Sequence, residues 1–83
     1  MTKEELIKFL EENTGKKIRL NMEGIITTTI QIEKMKVKYE DSYLCFSSEV
    51  KLNLHQLIKI SKIKENEILL EFDQLQNVTI IIE

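Results

Sequence analysis

Apolar and polar residues alternate through the middle of the chain in two phases that do not match. Apolar side chains occupy even positions first and odd positions afterwards: Ile26, Ile30 and Ile32, then Met35, Val37 and Tyr39. Successive residues of a strand face opposite sides of a sheet, so one extra residue is needed to keep both sets on a single core. The pattern therefore predicts a long strand over residues 25–39, bent by a β-bulge at Glu33 or Lys34.

The segment before this strand predicts a helix and a first strand. Thr2 and Glu5 have the spacing of a capping box, and the apolar residues of the following segment ELIKFLEEN lie on one side of a helix. Residues 13–15 supply a stop, and the apolar period then changes to two at Ile18, Leu20 and Met22. A helix this short is marginal alone, so we expect it to lie on the sheet or to cap an open end of it.

The length of the loop after the long strand can be inferred from the apolar residues of the two strands that flank it. An even loop, of two or four residues, places Tyr39 opposite Leu44, whereas a three-residue loop would turn Leu44 and Phe46 onto the lysine face. We therefore expect the even loop, which keeps one face dry. The other face would then carry Lys34, Lys36, Lys38, Tyr43, Cys45 and Ser47. Residues 47–49 interrupt the alternation.

The second half of the chain predicts a short turn, a strand and a final hairpin. Residues 54–63 fit a helical turn that leads into a strand, and residues 64–67 form a polar loop. The segments ILLEF and VTIII flank the loop DQLQN, which gives three core-facing pairs: Phe72 with Val78, Leu70 with Ile80, and Ile68 with Ile82. On the reverse face, Leu69 would pair with Ile81, and this apolar pair would need cover from the helix or another chain.

These elements together predict an α+β fold in one domain, residues 1–83. The N-terminal helix packs on a strongly bent, mostly antiparallel sheet of five or six strands that is partly closed, like a small barrel. The 13 Ile and 10 Leu residues favour strands over a helix bundle.

Charge and cysteine content narrow the classes of function. With 12 bases and 14 acids the net charge is −2, which gives no overall attraction to nucleic acid or to an anionic membrane. The one cysteine allows no internal disulfide. The chain is charged from Lys3 onward and has no apolar run of membrane-spanning length, so we expect a cytoplasmic protein.

Residues that could carry chemistry are isolated from one another. His55 is the only histidine, and we expect it at the surface. Cys45 is expected to be a small packed or half-exposed side chain, although lysines on its predicted face leave a thiol nucleophile as an alternative. The acids of residues 65–73 lack the spacing of a calcium loop, and neither glycine belongs to a phosphate loop. We expect a protein without catalytic activity, metal or cofactor.

Two surfaces are candidates for binding. Lys34, Lys36 and Lys38 with Tyr43 could hold phosphates and stack a base, or could simply be a solvated strand face. Leu69, Leu75 and Ile81 of the final hairpin could contact another protein, or could be covered by the protein's own helix.

The order of elements over residues 3–63 resembles an Sm-like small barrel, the group that includes the bacterial RNA-chaperone Sm proteins. The resemblance is carried by the helix, the TGKKIRLNM strand, the long bent strand, a short third strand and the KLNLHQLIKI segment. It implies ring assembly and RNA binding. Thr27 to Thr29 stand where such families usually carry a glycine, YEDSYL does not show the Asp-x-x-Asn type RNA loop, and KLNLHQLIKI does not reproduce the bacterial histidine motif near His55. The final hairpin is additional.

The sequence thus leads to two expectations about function. The first is a small non-catalytic protein that acts through protein–protein contact, by binding a partner or by self-association as a homo-oligomer. Its content of Ile, Lys, Glu and Asn is typical of AT-rich genomes and fits a regulator or inhibitor from a phage or mobile element. The alternative is an Sm-like oligomer that binds RNA.

Overall fold

The computed structural model describes residues 1–47 and 50–83, and it contains one helix and two antiparallel sheets. In chain order the elements are α1 (Lys3–Glu12), β1 (Ile18–Glu23), β2 (Thr28–Ile32), β3 (Lys38–Glu40), β4 (Tyr43–Cys45), β5 (Lys51–Asn53), a 3₁₀ turn (Leu54–Gln56), β6 (Leu57–Lys64), β7 (Glu67–Phe72) and β8 (Gln76–Ile82). One sheet has five strands in the order β2-β1-β8-β7-β6, and the other has three in the order β3-β4-β5. The predicted α+β class, with an N-terminal helix on mostly antiparallel strands, is confirmed.

The helix begins and ends where the sequence predicts. The Thr2 hydroxyl accepts the backbone N–H of Glu5 at 3.1 Å, and the Glu5 carboxylate accepts the backbone N–H of Thr2 at 2.9 Å, which completes the capping box. Hydrogen bonding of the Glu5 carboxylate to Thr2, chiefly to its backbone and less to its side chain, lowers the pKa of Glu5. The helix buries Leu6 and Leu10 against the sheets.

The predicted long strand is divided between the two sheets. The chain bends at Glu33 and Lys34, where the sequence places the irregularity, but β2 ends at Ile32 and the chain re-enters regular structure as β3 of the other sheet. The prediction of one strand with a bulge is therefore wrong in form. The reason is a pair of hydrogen bonds to the segment after α1. The backbone N–H of Met35 donates to the carbonyl of Lys16, and the carbonyl of Met35 accepts from the N–H of Gly15, so Met35 pairs with a strand of neither sheet.

The hairpin formed by β3 and β4 has the predicted even loop. Tyr39 lies opposite Leu44, and Asp41 and Ser42 form a two-residue connection. Both loop residues have positive φ, 52° and 66°, which is the sign that the primed turns of two-residue hairpins require. Of the predicted interruption at residues 47–49, the last two positions lie outside the described residues.

The predicted register of the C-terminal hairpin is wrong by two residues. Phe72 pairs with Gln76, Leu70 with Val78, and Ile68 with Ile80, so the turn contains only residues 73–75. Gln74 and Leu75 adopt positive φ, 63° and 58°, and this tight conformation allows the polar residues after the turn to join β8. A shift of two preserves which face each side chain occupies, so Leu70 and Ile80 are buried as expected. On the reverse face, Leu69 pairs with Thr79 and Ile81 with Glu67, not with one another.

The core lies between the two sheets and the helix. Its buried apolar residues form one cluster: Leu6, Leu10, Ile18, Leu20, Met35, Leu44, Phe46, Leu52, Leu54, Ile60, Ile68, Leu70, Val78, Ile80 and Ile82. Nearly every element therefore contributes to the same core, as expected for so short a chain.

Met35 tests the importance of the crossing between the sheets. We expect Met35→Ala to lower the free energy of unfolding by about 2–4 kcal/mol, because a fully buried side chain would leave a cavity at the point where the chain changes sheet. The neighbouring exposed Lys36→Ala should change it by less than about 0.5 kcal/mol. Urea denaturation of both variants measures the difference, and equal stabilities would contradict the assigned role of Met35.

Candidate protein-binding site

The loop between β1 and β2 rests directly on the turn between β7 and β8. The Gln76 side-chain amide donates to the carbonyl of Glu23 at 3.3 Å. Gly24 has φ +153°, and a Cβ added to it would lie only 2.6 Å from the carbonyl oxygen of Leu75. A glycine is required here because any side chain would push the loop away from the turn. Two segments whose residues Glu23 and Gln76 are 53 positions apart in sequence are thereby held at one end of the five-stranded sheet.

Three large apolar side chains at this end are exposed to solvent. Leu75 at the hairpin tip is 89% exposed, and Ile25 and Ile26 in the facing loop are 78% and 66% exposed. We call these three residues the tip surface. Isolated exposed apolar residues are common in proteins, but three on two adjoining segments form a patch of the kind that marks contact sites.

An open groove of about 380 Å³ lies beside the tip surface. Its apolar lining includes Met22, Phe72 and Val78 from the five-stranded sheet and Leu52 from the three-stranded one, together with Ile25 and Ile26. The remaining lining is polar: Lys51, Asn53, Gln56, Asp73, Gln74 and Gln76. Since this polar lining holds one base and one acid among neutral amides, the groove suits an apolar group that carries little charge.

The predicted contact residues Leu69 and Ile81 lie apart from Leu75. They occupy the outer face of the five-stranded sheet, where Leu69 pairs with Thr79 and Ile81 with Arg19. The helix does not cover this face, because its buried residues pack in the cluster on the opposite side of the sheet. Along β8, Leu75 and Ile81 are separated by about 20 Å at the usual rise of a strand. The three residues therefore do not form one surface.

The outer face of the three-stranded sheet carries part of the predicted lysine stripe. Cross-strand pairing puts Lys38 beside Cys45 and Lys51, and it puts Glu40 beside Tyr43 and Asn53. Lys38 contacts the Glu40 carboxylate at 3.0 Å, and this hydrogen bond raises the pKa of Lys38. The stripe is thus partly neutralised by an acid that belongs to the same face.

The other predicted residues are more dispersed. Lys34 and Lys36 are exposed on the connection between β2 and β3, outside either strand. His55 is exposed in the 3₁₀ turn, and its backbone N–H bonds to the Asn53 side chain. Within residues 1–47 and 50–83, His, Cys, Asp and Glu side chains form no group of three that could bind a metal. The one helix in this part of the chain is too short to cross a membrane.

Sequence reasoning missed Ile25 and Ile26 because it assigned them to the long strand. The strand begins only at Thr28, since the bend that follows Gly24 occupies residues 24–26. A signal was present in the sequence, where two consecutive isoleucines follow a glycine turn and break the alternation. Leu75 lies in the turn of the last hairpin and is exposed, and its role in protein contact stays a prediction.

Comparison of the chain with models of protein families, with curated protein sequences and with solved structures gives no match to any of them. The resemblance to Sm-like barrels therefore stays a prediction.

The contact between Gly24 and the turn can be tested with the two glycines of the chain. We expect Gly24→Ala to lower the free energy of unfolding by about 1–3 kcal/mol, because both its backbone angle and its contact with the turn become strained. Gly15→Ala is the matched control, because Gly15 also has positive φ, +91°, but has nothing within 4 Å of an added Cβ. This variant should lower the free energy of unfolding by about 1 kcal/mol, through backbone strain alone. Urea denaturation compares the two, and an equal or smaller loss for Gly24→Ala would contradict the described contact.

Proposed function

We propose that this protein is a non-catalytic binding protein that contacts another protein through the tip surface and its adjoining groove. The observation that carries the proposal is Leu75, which is 89% exposed and held at a φ of 58°. A residue with a bulky side chain pays about 1 kcal/mol for this backbone conformation, and in the isolated domain no burial compensates for it. Asn, Asp or Gly would fit the same turn without that strain.

The neighbouring isoleucines strengthen the argument. Transferring a Leu or Ile side chain from water into an interface contributes about 1.5–3 kcal/mol, so the three side chains of the tip surface could supply the centre of a specific contact. They project beside a groove whose walls belong to the folded core, such as Val78 and Leu52. A partner would therefore meet a surface that is largely formed in advance, which lowers the entropy cost of binding.

Leu69 and Ile81 form a second, smaller apolar patch on the outer face of the five-stranded sheet. Both are half-buried, and Arg19 flanks Ile81 with its guanidinium 3.5 Å from the Glu83 carboxylate. Part of the patch is thus screened by charged side chains. We assign the main contact to the tip surface for this reason.

RNA binding is the second candidate function, and one observation favours it. The register of the three-stranded sheet places Lys51 on the same face as Lys38 and Tyr43, a grouping that the sequence pattern alone did not predict. Lysine side chains can hold a phosphate, and an exposed aromatic ring can stack on a base. Glu40, which lies beside Tyr43 and contacts Lys38, weakens the attraction.

Leu75→Asn separates binding from stability. We expect the variant to be as stable as the wild type or more stable by about 0.5–1 kcal/mol, because Asn tolerates positive φ. We also expect it to lose the partner that the immobilised wild-type chain retains from an extract of the native host. Ile63→Asn is the matched control, because Ile63 is an exposed isoleucine on β6, outside the tip surface, and this variant should retain the partner. Equal retention by Leu75→Asn and the wild type would contradict the proposal.

Nucleic-acid affinity distinguishes the two candidates. If the tip surface carries the function, fluorescence anisotropy with a single-stranded RNA of mixed sequence should show no binding at physiological salt. The RNA hypothesis instead requires an affinity that falls steeply with salt and is weakened by Lys38→Glu with Lys51→Glu. Lys3→Glu with Lys8→Glu changes the net charge equally on the helix and serves as the control. Salt-dependent binding lost only in the first pair would establish the alternative.

A further inference from the structure

The two edges of the five-stranded sheet differ in how they are protected. The edge strand β6 carries Lys59, Lys62 and Lys64, and its register with β7 shifts twice, between residues 57 and 59 and between residues 62 and 64. Charged side chains and such irregularities are the usual means by which an edge strand is kept from pairing with another chain. The opposite edge, β2, has an uninterrupted register with β1 and contains no charged residue.

The free side of β2 is open. Its two core-facing isoleucines are half-buried, and its other residues are exposed. In the described part of the chain, the backbone hydrogen bonds outside helices and strand pairs involve none of its residues. With the preceding residues it forms the segment IITTTIQI, which is uncharged and rich in β-branched side chains. Such an edge is a template for addition of a further strand.

We propose that β2 pairs antiparallel with β2 of a second copy of this chain, so that the two five-stranded sheets become one continuous sheet. Given a second copy, charge favours the antiparallel over the parallel orientation. Glu33 and Lys34 follow directly after β2, and antiparallel pairing moves each away from its own counterpart, to the far end of the partner strand. Parallel pairing would place Glu33 beside Glu33. A lysine-rich β6 edge offers no comparable self-complementary surface.

The apolar residues select a register. A two-fold axis through Thr29 places Ile26 of each copy opposite Ile32 of the other, and it places Thr28 opposite Ile30. Within β2, Thr28, Ile30 and Ile32 lie on the core-facing side, because they pair with Met22, Leu20 and Ile18. Ile26 lies in the bend before β2 and would join the strand only in the dimer. This register would cover Ile26, which is 66% exposed in the single chain, and would extend both cores across the axis.

The proposal does not rest on the proposed function, because Leu75 takes no part in the strand pairing. A dimer in this register would cover Ile26, one of the three residues of the tip surface, but not Leu75, which carries the proposed contact. The two ideas can therefore fail separately.

Sedimentation of the full chain tests the dimer. Between about 10 μM and 1 mM we expect the wild type to approach twice its single-chain mass of 9.8 kDa. Thr29→Lys should weaken the dimer by about tenfold or more, because two lysines would meet at the axis. Asn77→Lys is the control, since it adds the same charge to the same face but on the central strand β8. It should leave the dimer intact.

Cross-linking tests the register without adding charge. In a Cys45→Ser background, Thr29→Cys should form an intermolecular disulfide under mild oxidation, because directly opposed residues of an antiparallel pair have Cα atoms about 4.5–5.5 Å apart. Asn77→Cys in the same background should not. A wild-type chain that stays monomeric throughout, a dimer unaffected by Thr29→Lys, or equal cross-linking of the two cysteine variants would each overturn the proposal. If the wild-type chain stays monomeric, the edge strand β2 would instead be open to an extended peptide of another protein.

Discussion

The architecture depends on how one residue is held where the chain passes from one sheet to the other. Met35 has a fully buried side chain, and both of its backbone groups bond to the connection between α1 and β1, with distances of 2.9 Å to the carbonyl of Lys16 and 2.8 Å from the N–H of Gly15. A change of sheet without these partners would leave backbone polar groups unpaired at the edge of the core. Gly15 has φ 91°, a backbone angle that glycine adopts without strain. The helix, β1 and the three-stranded sheet are thus fixed relative to one another at one point.

The tip surface lies on two loops that adjoin the same core. Val78 is buried in the core and also lines the groove, while Met22 and Phe72 are packed against the core from the groove side. Because Gly24 allows close contact with the turn, the isoleucines of one loop and the leucine of the other are presented together. The loop and the turn that carry this surface each join two paired strands, and a hydrogen bond between Gln76 and Glu23 links them.

The sequence could be interpreted correctly where the deciding interaction was local, or where it depended only on which alternate side chains of a strand share a face. Thr2 and Glu5 cap the helix through contacts three residues apart, and the even loop after Tyr39 follows from which side chains must be dry. The register of the last hairpin could not be decided in this way. Pairing Phe72 with Gln76 or with Val78 places the same side chains in the core, and only the positive φ values of the turn distinguish them. The division of the long strand between sheets depends on the hydrogen bonds that Met35 makes with Gly15 and Lys16, which lie about twenty residues away.

The strand order also has a consequence for the time course of folding. β1 is an inner strand between β2 and β8, and its register with β8 joins Ile18 to Ile82. At ordinary rates of protein synthesis, β8 leaves the ribosome roughly 3–12 s after β1. During this interval β1 has only β2 as a partner, and a two-stranded hairpin is marginal in water. The nascent chain therefore spends seconds with the inner edge of β1 unpaired, and the five-stranded sheet closes as a late, non-local event.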